Sequence, residues 1–361
     1  MTILHLRSSD LFGSPERLII GQCRHLPQFQ FICGSYARNN VQPKFLDECK
    51  NNGIPTVAFH ESFPGDLRVI SQLRDVIKTK QIDLIVSHDY KSTFYSYWAA
   101  NGLTASRIAY YHGVTSEDFK VKIYNAIDTF MLKRTPNIIA VSEHTKRLLI
   151  HRGVAAENIS VVPNAVDTAL LSNTPLTRSE IGAVKLIGAG RFSYEKGFDL
   201  LLEAIACIPA DAHPFVLYLY GQGPEETRLR ELVNKLKLEN RVQFMGFVSD
   251  IRPVFRTMDA LVMSSRSEGM PLIILEAWAE RLGVLATTVG GIPEMIIDGQ
   301  SGILVPPYDI SALATALGRI LENRALAWQF GEEGNKILRE KYSLTRQAAL
   351  LNDIYMSSAR K

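Results

Sequence analysis

The stretch "DALVMSSRSEGMPLIILEAWAERL", residues 259–282, passes from a short apolar run through a polar loop into a second apolar run. The first run has the length and composition of a buried strand. Pro271 is typical of the first turn of a helix, where its missing N–H is not needed. From residue 272 onward apolar side chains cover the whole circumference, which predicts a buried helix. The stretch therefore predicts a strand–loop–helix unit of an α/β fold.

Glu276 lies in the middle of this predicted buried helix. A buried carboxylate is costly unless a cation pairs with it or donors bind it. One explanation is a structural ion pair with Arg281 or Arg266. The other is a group that donates hydrogen bonds to the carboxylate. The sequence leaves both explanations open.

The same alternation of short β-rich runs and helical stretches extends along almost the whole chain. The predicted strands are "TILHL", "FQFICG", "IPTVAFH", "IDLIVSH", "RIAYYHG", "NIIAVSE", "VKLIGAGR", "FVLYLYGQG", "VQFMGF", "DALVMSS" and "GVLATT". Such alternation favours parallel sheets covered by helices on both faces. We therefore predict two doubly wound, Rossmann-like domains facing each other across a cleft. Their expected bounds are 1–170 and 183–341, with a linker at 171–182 and a helix in 342–361.

Composition narrows the class of protein. The chain has 361 residues, of which 46% are hydrophobic and 21% charged, as expected for a soluble globular protein of two domains. A net charge of +3 is too small to indicate a nucleic-acid partner. The cysteines have no metal-ligand spacing and are expected to be reduced core thiols of a cytoplasmic protein: Cys23, Cys33, Cys49 and Cys207. The basic, partly apolar segment 116–136 indicates either peripheral membrane contact or, preferably, a helix packed on the first sheet.

Several predicted strand ends carry groups that bind anions. Arg191 and Lys196 follow one strand, and Gly269 and Met270 lead from another into a helix. Backbone N–H groups at a helix N-terminus attract anions. The sequence has no Asp-x-Asp pair and no His/Asp/Glu cluster with ligand spacing, so we expect no metal site. The two cations and the amides could offset the charge of a diphosphate, although a solvated loop is the alternative for Arg191 and Lys196.

At this point the motifs resemble those of one family. Residues 268–276, "EGMPLIILE", give a Glu-x7-Glu motif. It is accompanied by "FGSPER", "YYHG", "AVSEHTKRLL", "VVPNAVD", "GAGRFSYEKG", "GQGP", "TTVGGIPEMI" and "DGQSGILVPPYD". The chain resembles the retaining glycosyltransferases of family 4, which have the GT-B fold, almost from end to end. By this resemblance the final helix could cross back to the first domain.

The resemblance implies roles for the matching residues. Arg191 and Lys196 would hold the diphosphate of a nucleotide-sugar donor, and Glu268 would contact hydroxyl groups of the transferred sugar. Glu276 would accept hydrogen bonds from the ribose. The segment that would support the phosphate and sugar comprises Gly269, Met270, Pro271 and Leu272.

Other implied positions lie outside that segment. His112 matches a cleft histidine beside the sugar, although a histidine capping a strand is the structural alternative. Gly13 and Ser14 match the first loop, where Ser14 replaces a common second glycine and is expected to be the N-cap of a helix. Gly246 and Phe247 are expected near the base. Ala165 replaces a usual glycine in a turn.

The implied reaction is metal-independent, retaining transfer of a hexose-type sugar from a nucleotide-diphosphate sugar, such as a UDP- or GDP-sugar, to an acceptor hydroxyl. The acceptor would be a glycan, a polysaccharide or a glycolipid precursor, and no cofactor is expected. Lipid-linked acceptors of many relatives suggest the inner face of the membrane. The alternatives are a nucleotide-sugar epimerase of the same fold and a non-catalytic binding protein. The presence of Arg191, Lys196 and Glu268 argues against the latter.

Overall fold

The computed structural model describes residues 1–9, 12–39, 41–113, 127–171, 181–209 and 211–358. It divides into two units of similar size. The first comprises residues 1–165 together with 344–361, and the second comprises residues 166–343. Two predicted features lie partly outside the described residues: most of the linker 171–182, and the basic segment 116–136 up to residue 126.

The first unit contains a parallel sheet in the order β3-β2-β1-β4-β5-β6-β7. Its strands are β1 (Thr2–Leu6), β2 (Gln30–Arg38), β3 (Thr56–Glu61), β4 (Leu84–Ser87), β5 (Ser106–Tyr111), β6 (Asn137–Ala140) and β7 (Ile159–Val161). The helices that flank them are Ser14–His25, Lys44–Asn51, Arg68–Thr79, Tyr90–Ala100, Glu143–His151 and Leu344–Ser358. Residues 127–132 are also helical.

The second unit contains a parallel sheet in the order β10-β9-β8-β11-β12-β13. Its strands are β8 (Val184–Ala189), β9 (Phe215–Tyr220), β10 (Val242–Gly246), β11 (Ala260–Met263), β12 (Gly283–Thr287) and β13 (Ile303–Val305). Its helices are Phe198–Ala206, Glu226–Lys235, Arg252–Phe255, Leu272–Ala279, Ile292–Met295, Ile310–Glu322 and Arg324–Lys341. The prediction of two doubly wound parallel sheets is therefore confirmed.

The last helix, Leu344–Ser358, packs within the first unit against the helix Ser14–His25. The amide of Gln22 donates to Gln347 at 2.9 Å, and Gln347 donates to the carbonyl of Pro163 at 2.6 Å. The first unit thus ends five residues earlier than position 170, and the chain returns to it at residue 344.

The buried helix that was predicted to begin at Pro271 and to follow the apolar run to Leu282 is present but shorter. The helix ends at Ala279, and its residues 274–279 are buried. Cys23, Cys33 and Cys49 are buried, whereas Cys207 is exposed and so is not the expected core thiol. Within the described ranges, no helix is both long and apolar enough to cross a membrane.

Candidate functional site

The candidate site of the second unit lies where its strand order reverses, between β8 and β11. Loops at the carboxyl ends of neighbouring parallel strands diverge at such a point and leave room for a ligand. Lys196 lies in the loop after β8, and Glu268 lies in the loop after β11. The fold therefore brings together two residues that are 72 positions apart in the sequence.

Glu268 is the centre of the contacts in these loops. Lys196 Nζ donates to its Oε1 at 2.7 Å, and Ser265 Oγ donates to the same oxygen at 2.7 Å. The side chain of Glu268 is only 7% exposed, so these donors compensate a largely buried charge. Arg191 is exposed, and its guanidinium has no hydrogen-bond or ion-pair partner in the part of the chain that the structure describes.

Hydrogen bonds of Arg266 link the loop after β11 to the loop after β8. Its guanidinium donates to both carboxylate oxygens of Asp199 at 2.8 Å and to the carbonyl of Tyr194 at 2.7 Å. Its backbone N–H donates to the carbonyl of Glu195 at 2.8 Å. Burial would raise the pKa of Asp199, but the hydrogen bonds and charge of Arg266 lower that pKa below its ordinary value. Arg266 therefore fixes the turn that presents Lys196.

Two glycines allow the loops to approach closely. Gly197 has φ +63°, and a Cβ there would lie 2.1 Å from the carbonyl oxygen of Ser264. Gly290 has φ +59°, and a Cβ there would lie 1.8 Å from the carbonyl oxygen of Glu268. The neighbouring Gly291 N–H donates to the carbonyl of Gly269 at 2.7 Å. Only glycine combines this backbone conformation with such contacts.

The start of the helix after Glu268 differs by one residue from the prediction. Pro271 is the N-cap, with φ −71° and ψ 118°, and the helix begins at Leu272 rather than at the proline. Glu276 is 6% exposed on this helix. Both arginines considered as its partner have another carboxylate: Arg266 pairs with Asp199, and Arg281 pairs with Glu332.

Gly246 and Phe247 lie at the carboxyl end of β10, at the edge of the sheet. Gly246 has φ +76°, and its carbonyl accepts from the N–H of Gly221 at 2.9 Å. Phe247 is 45% exposed. These two residues lie at the same carboxyl edge of the sheet as the loops of Lys196 and Glu268. Their strand, β10, is two strands away from β8.

Gly13, Ser14 and His112 belong to the first unit. The N-cap of the helix Ser14–His25 is Gly13, not Ser14 as predicted, and the carboxylate of Glu16 accepts from the Gly13 N–H at 2.9 Å. Arg7 Nε donates to the other oxygen of Glu16 at 3.0 Å, and Arg7 NH1 donates to the carbonyl of His88 at 3.0 Å. Arg7 thus links the first loop to the end of β4.

A stack of histidines continues from this link. His5 Nδ1 and His88 Nε2 are 2.8 Å apart, and the rings of His88 and His112 stack with centroids 6.3 Å apart. Burial lowers the pKa of His5 to about 3. Burial and the positive charge of Arg7 lower the pKa of His112 to about 3, and burial together with neighbouring positive charge lowers that of His88 well below its ordinary value. All three rings are therefore neutral near pH 7.

Sequence reasoning missed Ser265, Arg266 and Asp199 as members of the site. Arg266 was considered only as a partner for Glu276, and no spacing in the sequence links it to Asp199, which is 67 residues away. Across the described ranges, no group of three His, Cys, Asp or Glu side chains could hold a metal ion.

Two family models match the chain. The model described as "Glycosyltransferase Family 4" matches residues 23–170, and the model described as "Glycosyl transferases group 1" matches residues 181–337. The first match lies in the first unit except for residues 166–170, whereas the second contains the loops of Lys196 and Glu268.

Curated relatives and solved structures agree with these matches. The chain is 34% identical over 192 residues to the lipopolysaccharide core biosynthesis glycosyltransferase LpsE of Rhizobium meliloti, covering 53% of this chain and about half, 52%, of that protein. It is 25% identical over 331 residues to the N-acetyl-alpha-D-glucosaminyl L-malate synthase of Bacillus anthracis, covering 86% of each. Anabaena HepE in complex with UDP-glucose has a TM-score of 0.87 at 21% identity, covering 99% of this chain and 100% of HepE, which supports the GT-B fold. The chain belongs to glycosyltransferase family 4.

Proposed function

We propose that this protein is a retaining glycosyltransferase that moves a hexose-type sugar from a nucleotide-diphosphate sugar to an acceptor hydroxyl without a metal ion. The observation that carries the proposal is the contact between Lys196 and Glu268 at the strand-order reversal of the second unit, with the exposed guanidinium of Arg191 in the same loop as Lys196. Two cations, one of them a guanidinium without a protein partner in the described residues, suit a diphosphate, and the neighbouring carboxylate suits a sugar.

In this proposal Arg191 and Lys196 bind the diphosphate, and their charges offset the negative charge that develops on the leaving group. Removal of one such contact typically raises the barrier by roughly 3 kcal/mol, which is at least a hundredfold in rate. Glu268 accepts from sugar hydroxyl groups, and Glu276 accepts from the ribose. The segment 269–272 supports the phosphate and the sugar, and Gly246 and Phe247 lie near the base.

The proposed transfer takes place on one face of the sugar. The acceptor oxygen forms its bond to the anomeric carbon as the bond to the phosphate oxygen breaks, and the leaving phosphate takes the acceptor proton. The products are a glycoside of unchanged anomeric configuration and a nucleoside diphosphate. A general acid or base needs a pKa near the working pH, so the pKa of about 3 favours a hydrogen-bonding role for His112 rather than proton transfer.

The relatives support this class of substrate without identifying it. LpsE and a mannosyltransferase of Rhizobium leguminosarum act in lipopolysaccharide core biosynthesis by their names, and HepE binds UDP and UDP-glucose. We propose a UDP- or GDP-sugar donor bound by the second unit. The proposed acceptor is a glycan or a lipid-linked glycan precursor, with Gly13, Ser14 and His112 contributing from the first unit.

Thermal unfolding with nucleotides tests the proposal. UDP, GDP, ADP and CMP are added separately, each with and without EDTA. A nucleotide at 100 times its dissociation constant stabilises the protein by about 2.7 kcal/mol, which raises the melting temperature by roughly 5–10 °C. We expect one diphosphate to do this with EDTA present. The shift should be lost in Arg191→Gln and kept in Arg230→Gln, which removes an exposed arginine of the same unit.

The contrary results are distinct. A shift that needs a divalent metal would contradict the metal-independent reaction, and no shift with any nucleotide would contradict the donor site. Incubation with the matching nucleotide sugar, followed by NMR of the anomeric proton, then tests retention. Epimerised donor formed in the absence of acceptor would indicate an epimerase instead.

A further inference from the structure

A second cluster of charges lies at the carboxyl edge of the first sheet. Arg38 ends β2 and Glu61 ends β3, and the two residues are partners in the parallel register. Lys91 lies in the first turn of the helix Tyr90–Ala100, just after β4. Because β1 and β2 separate β4 from β3, Lys91 reaches Glu61 across the ends of two strands. None of these residues takes part in the proposed donor site.

The cluster holds two cations on one carboxylate. Arg38 NH2 lies 2.7 Å from Glu61 Oε1, and Lys91 Nζ lies 2.8 Å from Oε1 and 2.7 Å from Oε2. The side chain of Glu61 is 3% exposed, that of Lys91 16% and that of Arg38 43%. One cation is sufficient to neutralise a buried carboxylate, so the second leaves the cluster with one net positive charge.

The cluster also retains hydrogen-bond donors. Arg38 uses only NH2 on Glu61, and within the described residues its Nε and NH1 have no partner. Lys91 Nζ also lies 4.3 Å from the ring centroid of Tyr36, which has its face toward the ammonium. A guanidinium and an ammonium beside each other, one partly exposed, suit a carboxylate or phosphate group.

The position of the cluster supports a ligand rather than a purely structural network. The strand order of the first sheet reverses between β1 and β4, and Lys91 follows β4. Ligands of doubly wound sheets bind outside the carboxyl ends of the strands at this point. The N-terminal end of the helix Tyr90–Ala100, which is 11 residues long, lies at the same edge. Its cap, Asp89, accepts from the backbone N–H groups of Ser8 and Ser92, neutral donors that fix the orientation of its carboxylate at this edge.

We propose that Arg38 and Lys91 form a binding site for an anionic group, either carboxylate or phosphate, with Glu61 holding the two cations in place. In the proposed reaction this group is carried by the acceptor substrate, a statement that rests on the proposed function. The acceptor is then a sugar acid or a phosphorylated glycan rather than a neutral sugar.

Inorganic phosphate is the probe for this site. The full chain carries Arg191→Gln and Lys196→Gln, so phosphate cannot act through the proposed donor site. Melting temperatures are measured against phosphate concentration and against sodium chloride at equal ionic strength, which yields a dissociation constant for the phosphate-specific part. Arg38→Gln and Lys91→Met should each weaken binding about tenfold or more, since each removes a charged hydrogen-bond donor. Lys78→Gln, which removes an exposed lysine of the same unit, should leave the constant unchanged.

Glu61→Gln should change the affinity for phosphate in the opposite direction. It removes the negative charge that competes with the anion, so phosphate should bind several-fold more tightly even where the protein itself is less stable. Equal phosphate effects in all variants, no phosphate-specific effect in the parent, or weaker binding in Glu61→Gln would each overturn the site. The proposed function fails separately, when no nucleotide stabilises the unmodified protein.

Discussion

Acidification from pH 7 to pH 5 should destabilise the first unit by about 4 kcal/mol through His5 and His88 alone. Both side chains are buried, at 0% and 3% exposure. Burial lowers the folded-state pKa of His5 to about 3, and that of His88 lies well below its ordinary value of 6.5. In the unfolded chain both rings take up protons below about pH 6.5.

The sign follows from proton uptake. The unfolded state binds more protons than the folded state between pH 6.5 and about 3, so the stability that the neutral rings contribute is present above pH 6.5 and is lost as the pH falls. Each histidine costs about 2 kcal/mol between pH 7 and pH 5, and two cost about 4 kcal/mol. This is a large fraction of the 5–15 kcal/mol by which domains are usually stable.

Hydrogen exchange followed by mass spectrometry measures the pH dependence of stability in the first unit by itself. The free energy of opening is obtained from the amides of β1 and β4, after correction for the intrinsic exchange rate at each pH. His88→Gln cannot be protonated, so it should reduce the slope of free energy against pH by about 1 kcal/mol per pH unit between pH 6 and pH 5. His60→Gln, which replaces an exposed histidine of β3, should leave the slope unchanged.

The slope is informative even where His88→Gln lowers the stability at every pH. If the variant and the parent have the same slope, His88 is protonated in the folded state and the reasoning from burial is wrong. A reduced slope in His60→Gln would mean that the histidine stack is not the source of the pH dependence.

Two further predictions concern the loops of the second unit. Arg266→Lys keeps the charge but loses about two of three charged hydrogen bonds, so it should lower the free energy of unfolding by about 2–4 kcal/mol and reduce nucleotide stabilisation. The control Arg230→Lys, in an exposed ion pair, should change either quantity by less than about 0.5 kcal/mol. Gly290→Ala adds a Cβ that would lie 1.8 Å from the Glu268 carbonyl oxygen at a positive φ, so it should lower the free energy of unfolding by at least about 1–3 kcal/mol. The control Gly318→Ala lies in a helix with no atom within 4 Å of the added Cβ and should be neutral or stabilising. Urea denaturation measures both.

The sequence was sufficient to predict two doubly wound sheets because each long strand is a compact apolar run followed by a helical stretch. Two strands were missed, β7 (Ile159–Val161) and β13 (Ile303–Val305). Each has three residues, and Pro163 and Pro306 follow closely. A run this short has no periodicity of its own, and only pairing with β6 or β12 makes it a strand.

Helix starts were predicted to within one residue, and the error has a physical cause. Ser14 was predicted as a cap but is the first helical residue after Gly13, and Pro271 was predicted as the first helical residue but is the cap. Which residue is the cap depends on where the backbone turns. At Gly13 the extended φ of −144° allows Glu16 to accept its N–H, an arrangement that residue preference alone does not specify.

The partners of the site residues were the part that the sequence could not provide. Lys196 and Glu268 were assigned separately, one to a phosphate and one to a sugar, whereas the structure joins them through one carboxylate oxygen. Removal of Lys196 would therefore leave Glu268 largely buried with Ser265 as its remaining described donor at Oε1, and the loss of activity would include the cost of that unpaired charge. The two proposed roles are energetically coupled, so their separate contributions follow only from comparing both single substitutions with the double substitution.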